Sequence, residues 1–286
     1  VYYAAAALAR RVRVARCLYP YENRAWEKML LLGLGSVSSK TRMVGYQHAA
    51  ISPSHTNFIL SHEEANITPL PDVILNTGTV ISQRLENEGN YPAGMLYTAC
   101  ALRQGQSGQT QMKKRPQHLT RILAALSSSL EEYVKTLVIL EKAFSNSDAY
   151  EVRIRPHPAI PFESAVEIAQ LDRLDFYSTS PGSLTEDLEW ANIVLYASST
   201  VGLQAISSGI PAIYLDLGNF LDTDPMLGWD QFKWSVVNSN QLVETIGRID
   251  SLSELEFLDR QEKGREYAIN YLSPVTESAL QAFLEA

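Results

Sequence analysis

The sequence predicts an α/β protein of two units, each a parallel sheet crossed by helices. Three observations predict it. From about residue 120 onward, short β-rich runs alternate with amphipathic helical stretches, the pattern that forces parallel strands joined by crossover helices. A looser version of the same alternation precedes residue 115. Between the two, Gln104–Gln117 is polar, contains Gly and lacks apolar periodicity, so it reads as an interdomain connection. The expected boundaries are 1–110 and 111–286, with the C-terminal helices in the second domain. A length of 286 residues agrees with two domains of about 150 residues each.

The elements follow from local signals. In the first half, strand patterns fall at Val12–Leu18, Arg42–Gln47, Val73–Asn76 and Met95–Cys100, with helices at about Asn23–Leu32 and Val80–Glu88. In the second half, Arg121–Leu126 is a strand, Ser127–Ser129 a capping loop, and Leu130–Phe144 a helix with apolar residues at helical spacing. Strand Glu151–Arg155 is stopped by Pro156, and Asp175–Ser178 is the next strand. Ser183 caps a helix through Trp190, with Glu186 three residues on completing a capping box. A buried strand at Asn192–Ala197 precedes a helix at Thr200–Ser207, closed by Gly209 and Pro211 before strand Ala212–Asp216. Trp234–Val237, a capped helix at Asn240–Ile249 and a helical tail broken near Pro274 complete the chain.

Composition excludes several classes. Lys and Arg number 24 against 32 Asp and Glu, a net charge of −8, which opposes a nucleic-acid surface despite the local basic run Arg10–Arg16. Two cysteines, Cys17 and Cys100, are too few for a disulfide framework and lack metal-ligand spacing, so a reducing, cytoplasmic setting is expected. No apolar run reaches the 18 or so residues of a membrane helix, and the apolar opening Val1–Leu8 precedes its basic residues, the reverse of a signal peptide. Any membrane association is expected to be peripheral, at the inner face. The start without Met suggests a fragment whose first domain is incomplete.

In an open parallel sheet, ligands bind where strand ends meet helix N-termini. Arg155-Pro156-His157-Pro158 ends a strand, and its two prolines hold a histidine in a fixed turn where the imidazole can donate to a phosphate or protonate a leaving group. The competing reading is a surface turn with an incidental histidine. Ala197–Gly202 carries Ser198, Ser199 and Thr200 at a helix start, where hydroxyl and backbone donors suit a phosphate; a plain N-cap needs one such residue. No Walker lysine and no GlyXGlyXXGly pattern is present, which disfavours a P-loop nucleotidase and an NAD enzyme.

The His157-Pro158 pair followed by a strand ending in Ser198-Ser199-Thr200 and the helix from Val201 to Ser207 resembles the donor domain of GT-B glycosyltransferases. It is similar in particular to bacterial surface-polysaccharide enzymes that use cytidine nucleotides: polysialyltransferases, Kdo transferases and teichoic-acid glycerophosphotransferases. The resemblance covers about residues 115–280. It implies a GT-B-like fold of two Rossmann-like domains, and donor-phosphate contacts by His157, Ser198 and Ser199, with Arg155, Pro158 and Thr200 in the same site. GT-B donor helices often carry a Glu that grips the ribose; Gln204 stands there, with one acceptor oxygen where a carboxylate has two.

The first half offers two loops at strand ends. Polysaccharide transferases of this type resemble a pattern in which the acceptor domain contributes an acidic residue and a histidine, which makes Glu22 the base candidate and His48 the positioning or acid candidate. The plainer alternatives are a helix cap for Glu22 and a satisfied buried imidazole for His48. His55, His62, Glu63 and Glu64 read as a solvated loop rather than a metal site. The carboxylates of Asp216–Met226 are placed to meet sugar hydroxyls or a cation, with a solvated turn as the plainer reading, and Trp190, Trp229 and Trp234 read as packing residues.

The resulting expectation is a metal-independent glycosyltransferase without a resident cofactor, moving a sugar, plausibly an acidic one from a CMP-linked donor, onto a surface glycan or glycolipid. A nucleotide-sugar epimerase of the same shape and an inactive nucleotide-binding module are the alternatives.

Overall fold

The computed structural model describes residues 1–38, 40–102 and 112–285; most of the expected connection Gln104–Gln117 lies outside the described residues. The chain forms two compact units. Among the described residues the first takes in 1–51, 55–102 and 269–285, and the second 52–54 and 112–268.

The first unit opens with α1 (Tyr2–Arg11), then β1 (Arg16–Pro20), α2 (Ala25–Gly35), β2 (Arg42–Gln47), a 3-10 turn at Thr56–Phe58, α3 (His62–Ile67), β3 (Val73–Asn76), α4 (Thr79–Glu88) and β4 (Leu96–Thr98). Its sheet runs β1-β2-β3-β4 and is parallel throughout. Every residue of β3 is buried, as parallel strands covered on both faces must be. Helix α1 was read only as an apolar opening; its run of alanines is a strong helix former, and Arg10 and Arg11 in the last turn favour the negative end of the helix dipole.

The second unit contains β5 (Arg121–Ala125), α5 (Leu130–Phe144), β6 (Glu151–Arg155), α6 (Phe162–Ala169), β7 (Tyr177–Thr179), α7 (Leu184–Trp190), β8 (Ile193–Tyr196), α8 (Val201–Ser207), β9 (Ala212–Leu215), β10 (Lys233–Val236), α9 (Ser239–Asp250) and α10 (Glu254–Tyr271), of which the last three residues count with the first unit. The capping box on α7 forms as the sequence requires: Ser183 accepts the Glu186 N–H and Glu186 reaches back to Ser183. The C-terminus of α8 is followed by Gly209 at φ +76°, a left-handed turn that glycine adopts without strain.

The six strands lie in the order β10-β9-β8-β5-β6-β7, all parallel. Read from the other side this is third, second, first, fourth, fifth, sixth, so strand order reverses between β5 and β8. Their connections leave in opposite directions and open a crevice beyond their carboxyl ends.

The C-terminal helices are divided differently from the expectation. Helix α11 (Glu277–Glu285) packs in the first unit, where Phe283, with Val275, Ala279 and Ala282, covers an apolar cluster of Val44, Tyr46, Val73 and Leu75. Phe283 meets the Tyr46 ring edge-on at 5.2 Å, and Arg16 donates to the Leu284 carbonyl. That face of β2 and β3 needs a cover, and the tail supplies the apolar side chains to keep it from water.

Buried phenols set an alkaline limit. In the first unit Tyr21 donates to Tyr91 at 3.1 Å; burial raises both, Tyr91 to about 12. In the second, burial pushes Tyr133 to about 12 and Tyr196 well above its usual value. A folded pKa above the unfolded value of about 10 means the folded state holds its protons longer, so this stability is complete below about pH 10 and is lost as pH rises through 12. Tyrosinate absorbance from the buried rings should therefore appear only as pH rises to about 12 and beyond, together with loss of helical circular dichroism. A single transition near pH 10 with the fold intact would contradict it.

Candidate functional site

Two groups of side chains gather at carboxyl ends of strands, one in each unit. In the first unit, β1 ends at Pro20 and β2 at Gln47, and because these strands are neighbours the loops after them meet. Glu22 Oε1 lies 3.8 Å from His48 Nε2, and Glu22 Oε2 lies 3.5 Å from Arg24 Nε. Glu22 does not cap the helix. Instead the buried carboxylate of Glu27, inside α2, accepts the Glu22 backbone N–H at 3.1 Å, and burial holds the Glu27 carboxyl above its ordinary range. Asn23 at φ +53° turns the chain here; its side-chain amide donates to the Asn57 backbone carbonyl at 2.7 Å, and the Asn57 amide donates to the Glu22 backbone carbonyl at 2.6 Å. The loop is thus held from both sides while the Glu22 carboxylate stays half-exposed. His48 Nδ1 is buried and has no hydrogen-bond partner among the described residues, so the imidazole is not the satisfied core histidine of the plainer reading.

In the second unit the His157 turn follows β6 and the Ser198–Thr200 loop follows β8. Both leave the same edge of one sheet, with β5 between them, so their strands are separated by about 10 Å at ordinary strand spacing. His157 Nδ1 accepts the Ala159 N–H at 3.2 Å. In the neutral ring that assignment puts the proton on Nε2, a donor. Pro158 is exposed beside it.

Arg155 is placed differently from the expectation. Its guanidinium bonds Asp187 at 2.8 Å, the Gly182 carbonyl at 2.9 Å and Ser180 at 3.2 Å, while Arg153 bonds the other Asp187 oxygen at 3.3 Å and lies 4.0 Å over the Trp190 ring. Asp187 is completely buried, so both arginines are committed to neutralising it and to holding β6 against α7.

Ser199 Oγ accepts the Val201 N–H at 3.3 Å, a local turn. Thr200 precedes α8 without a side-chain cap bond, and Gln204 lies half-buried one turn into it. A Cβ on Gly202 would come within 2.6 Å of the Tyr196 ring, so glycine there is what lets α8 sit against the end of β8.

Ser198 donates its hydroxyl to Glu132, in the first turn of α5, and Asn219 Nδ2 donates to the other Glu132 oxygen at 2.6 Å. This buried carboxylate joins the loops after β5, β8 and β9 at the point where strand order reverses. Sequence reasoning missed Glu132 and Asn219. Ser129-x-x-Glu132 looks like a helix cap; Ser129 does accept the Glu132 N–H at 3.5 Å, but the carboxylate turns to the crevice instead of back to Ser129. The signal that could have found it is the first strand of the unit, whose following loop always borders the reversal point in this strand order.

The acidic loop after β9 is anchored rather than free. Asp224 is 1% exposed and Lys233 5%; they form a buried ion pair, and Asp224 also accepts from the Tyr196 hydroxyl at 2.8 Å. Trp229 stacks on Tyr267 at 4.4 Å, and Trp234 lies against Phe232. His62, Glu63 and Glu64 form the start of α3, capped by Ser61, rather than a loop. Among the described residues no three His, Cys, Asp or Glu side chains gather as a metal site, no helix is long and apolar enough to cross a membrane, and Cys17 and Cys100 are free thiols.

No protein-family model matches the chain, and no curated protein does. Solved structures do. A glycosyltransferase from Rickettsia africae is 11% identical at a TM-score of 0.61, over 98% of this chain and 78% of that one. Anabaena Alr3699/HepE, solved with UDP and glucose, is 10% identical at 0.61, over 99% and 79%. TarM, known from S. aureus, is 13% identical at 0.59, over 98% of this chain; the chain spans 50% and 57% of the two TarM chains it matches. The likeness at these identities is one of fold: the chain has the α/β fold of the GT-B glycosyltransferases, with two Rossmann-like parallel sheets.

Proposed function

We propose that the protein is a glycosyltransferase that takes a sugar from a nucleotide-linked donor held at the carboxyl edge of the second unit. The observation that carries this reading is the crevice between β5 and β8, where the Ser198–Thr200 loop leaves the same edge as the His157 turn, two strands away, on a sheet of nucleotide-binding order. His157 Nε2–H and the backbone N–H of Thr200 stabilise the charge on the departing phosphate, a task that preorganised donors perform without reorganisation. Glu22 removes the acceptor hydroxyl proton, and His48 and Arg24 hold its carboxylate in place. No metal enters this scheme, so turnover survives chelator.

The donor is an acidic sugar linked to CMP or a sugar linked to UDP; HepE was solved with UDP-glucose, which makes uridine compounds the natural comparison. A surface glycan or glycolipid is the acceptor class that the His157-Pro158 and Ser198-Ser199 elements suggest. The test is a thermal-shift screen of CMP, CDP and UDP. A ligand at about 100 times its dissociation constant adds about 2.7 kcal/mol. On a unit of this size that is expected to raise the midpoint by about 5–10 °C. No shift with any of the three at millimolar concentration would remove the proposal, and the preferred base would name the donor class.

A further inference from the structure

Hydrogen-bond direction decides what the crevice can accept. Glu132 is 5% exposed, and a carboxylate offers acceptor atoms only. Ser198 has a single hydroxyl proton and gives it to Glu132, so its exposed Oγ turns lone pairs outward. Asn219 is engaged through Nδ2, which bonds Glu132 at 2.6 Å and lies 3.5 Å from Thr223 Oγ1, leaving the Oδ1 acceptor for another partner. Both side chains that border the reversal point therefore present acceptors, above a buried carboxylate. Phosphate is acceptor-rich and negatively charged, so it is repelled here. Hydroxyl groups, which bring protons and no charge, are matched.

We propose that Ser198, Glu132 and Asn219 form a hydroxyl-reading subsite that takes a vicinal diol of the nucleotide-sugar donor, either on its ribose or on its sugar. The inference rests on the reading of the second unit as a nucleotide-sugar site. Glu132 is a positioning residue: it acts by setting the polarity of Ser198 and Asn219. The phosphate then falls to the remaining donors, the His157 Nε2–H and the backbone N–H of Thr200, since the Ser199 N–H donates to the Ala197 carbonyl at 3.0 Å. The subsite also supplies the diol contact that Gln204, with its single acceptor oxygen, meets only in part.

Calorimetric titration of the whole chain with UDP, CMP, 2′,3′-dideoxy-UDP, UDP-glucose and inorganic pyrophosphate tests this. If the ribose is read, UDP binds about five- to thirtyfold more tightly than its dideoxy analogue, the worth of one or two hydrogen bonds. If the sugar is read, UDP-glucose exceeds UDP by a similar factor. In Glu132→Gln the amide donates to Ser198 or Asn219 and reverses that side chain's polarity. The diol preference then falls below about twofold, while pyrophosphate affinity holds or rises, which a merely structural loss would not produce. Ser198→Ala, at an exposed position, should fold and lose part of the same preference, so it keeps the test decisive if Glu132→Gln unfolds. Nucleotide binding with no diol preference, or a preference that survives both substitutions, overturns the subsite. Absence of any nucleotide binding by the unaltered chain instead overturns the functional reading on which it rests.

Discussion

Replacing Asp224 with alanine is expected to lower the stability of the second unit by about 3–5 kcal/mol, the cost of leaving one member of a buried ion pair without its partner. The Lys233 ammonium is 5% exposed and keeps only the Met226 carbonyl at 3.2 Å once Asp224 is gone, while the Tyr196 hydroxyl loses its acceptor inside the core. Thermal unfolding followed by circular dichroism should show the midpoint falling by on the order of 10 °C. Asp224→Leu combined with Lys233→Met should recover most of the loss, because two apolar side chains leave no charge to solvate. A fall below 1 kcal/mol in the single variant would mean that the pair is solvated and only loosely formed. The substitution also reaches the site. Tyr196 ends β8 two residues before Ser198, and the loop that Asp224 anchors carries Asn219, so the ion pair braces two of the three crevice loops.

Glu22→Gln is expected to lower kcat by about 10²- to 10⁴-fold, the range for a general base that takes a proton in the transition state. The amide keeps the shape of the carboxylate and its one oxygen can still accept from Arg24 or from His48, while the loop built on Glu27, Asn23 and Asn57, which uses the Glu22 backbone, stays as it is. What is lost is the negative charge, and with it the basicity, together with one of the two acceptor oxygens. Nucleotide affinity should stay within about twofold, since the crevice is built from side chains of the second unit. Initial-rate kinetics beside calorimetric titration separates the two effects. A kcat near that of the unaltered chain would take the proton-acceptor role from Glu22, and a parallel fall in nucleotide affinity would make it a binding residue.

Local signals carried the second half of the fold a long way. Helix Leu130–Phe144 and strand Glu151–Arg155 have the bounds that periodicity and Pro156 assign them, and the α7 capping box is a contact between residues three apart that needs no tertiary information. Edges drifted where pairing rather than pattern sets the limit: the strand expected at Asp175–Ser178 runs Tyr177–Thr179, the three residues that pair with Val152, Arg153 and Ile154 of β6. Elements were passed over where an apolar stripe was short or misread, as with α1, α3 and α6.

The candidate site divides along the same line. Glu22, His48, His157 and Ser198 were all legible as residues after strands; that Glu22 faces His48 depends on β1 lying next to β2. Arg155 illustrates the opposite case. Its place beside the His-Pro turn suggests a ligand contact, yet the completely buried Asp187 comes from a helix 32 residues later in the chain and claims its charge.

The sequence by itself determined the class of the protein, the alternation of strands and helices, and which side chains stand at strand ends, because each of these rests on contacts within a few residues. Only the tertiary structure decided where strand order reverses, that the tail from residue 269 belongs to the first unit, and that Glu132 rather than a phosphate takes the Ser198 proton. Those outcomes depend on pairings between residues 66 or more positions apart, where charge neutralisation and burial select a partner that no local pattern can name.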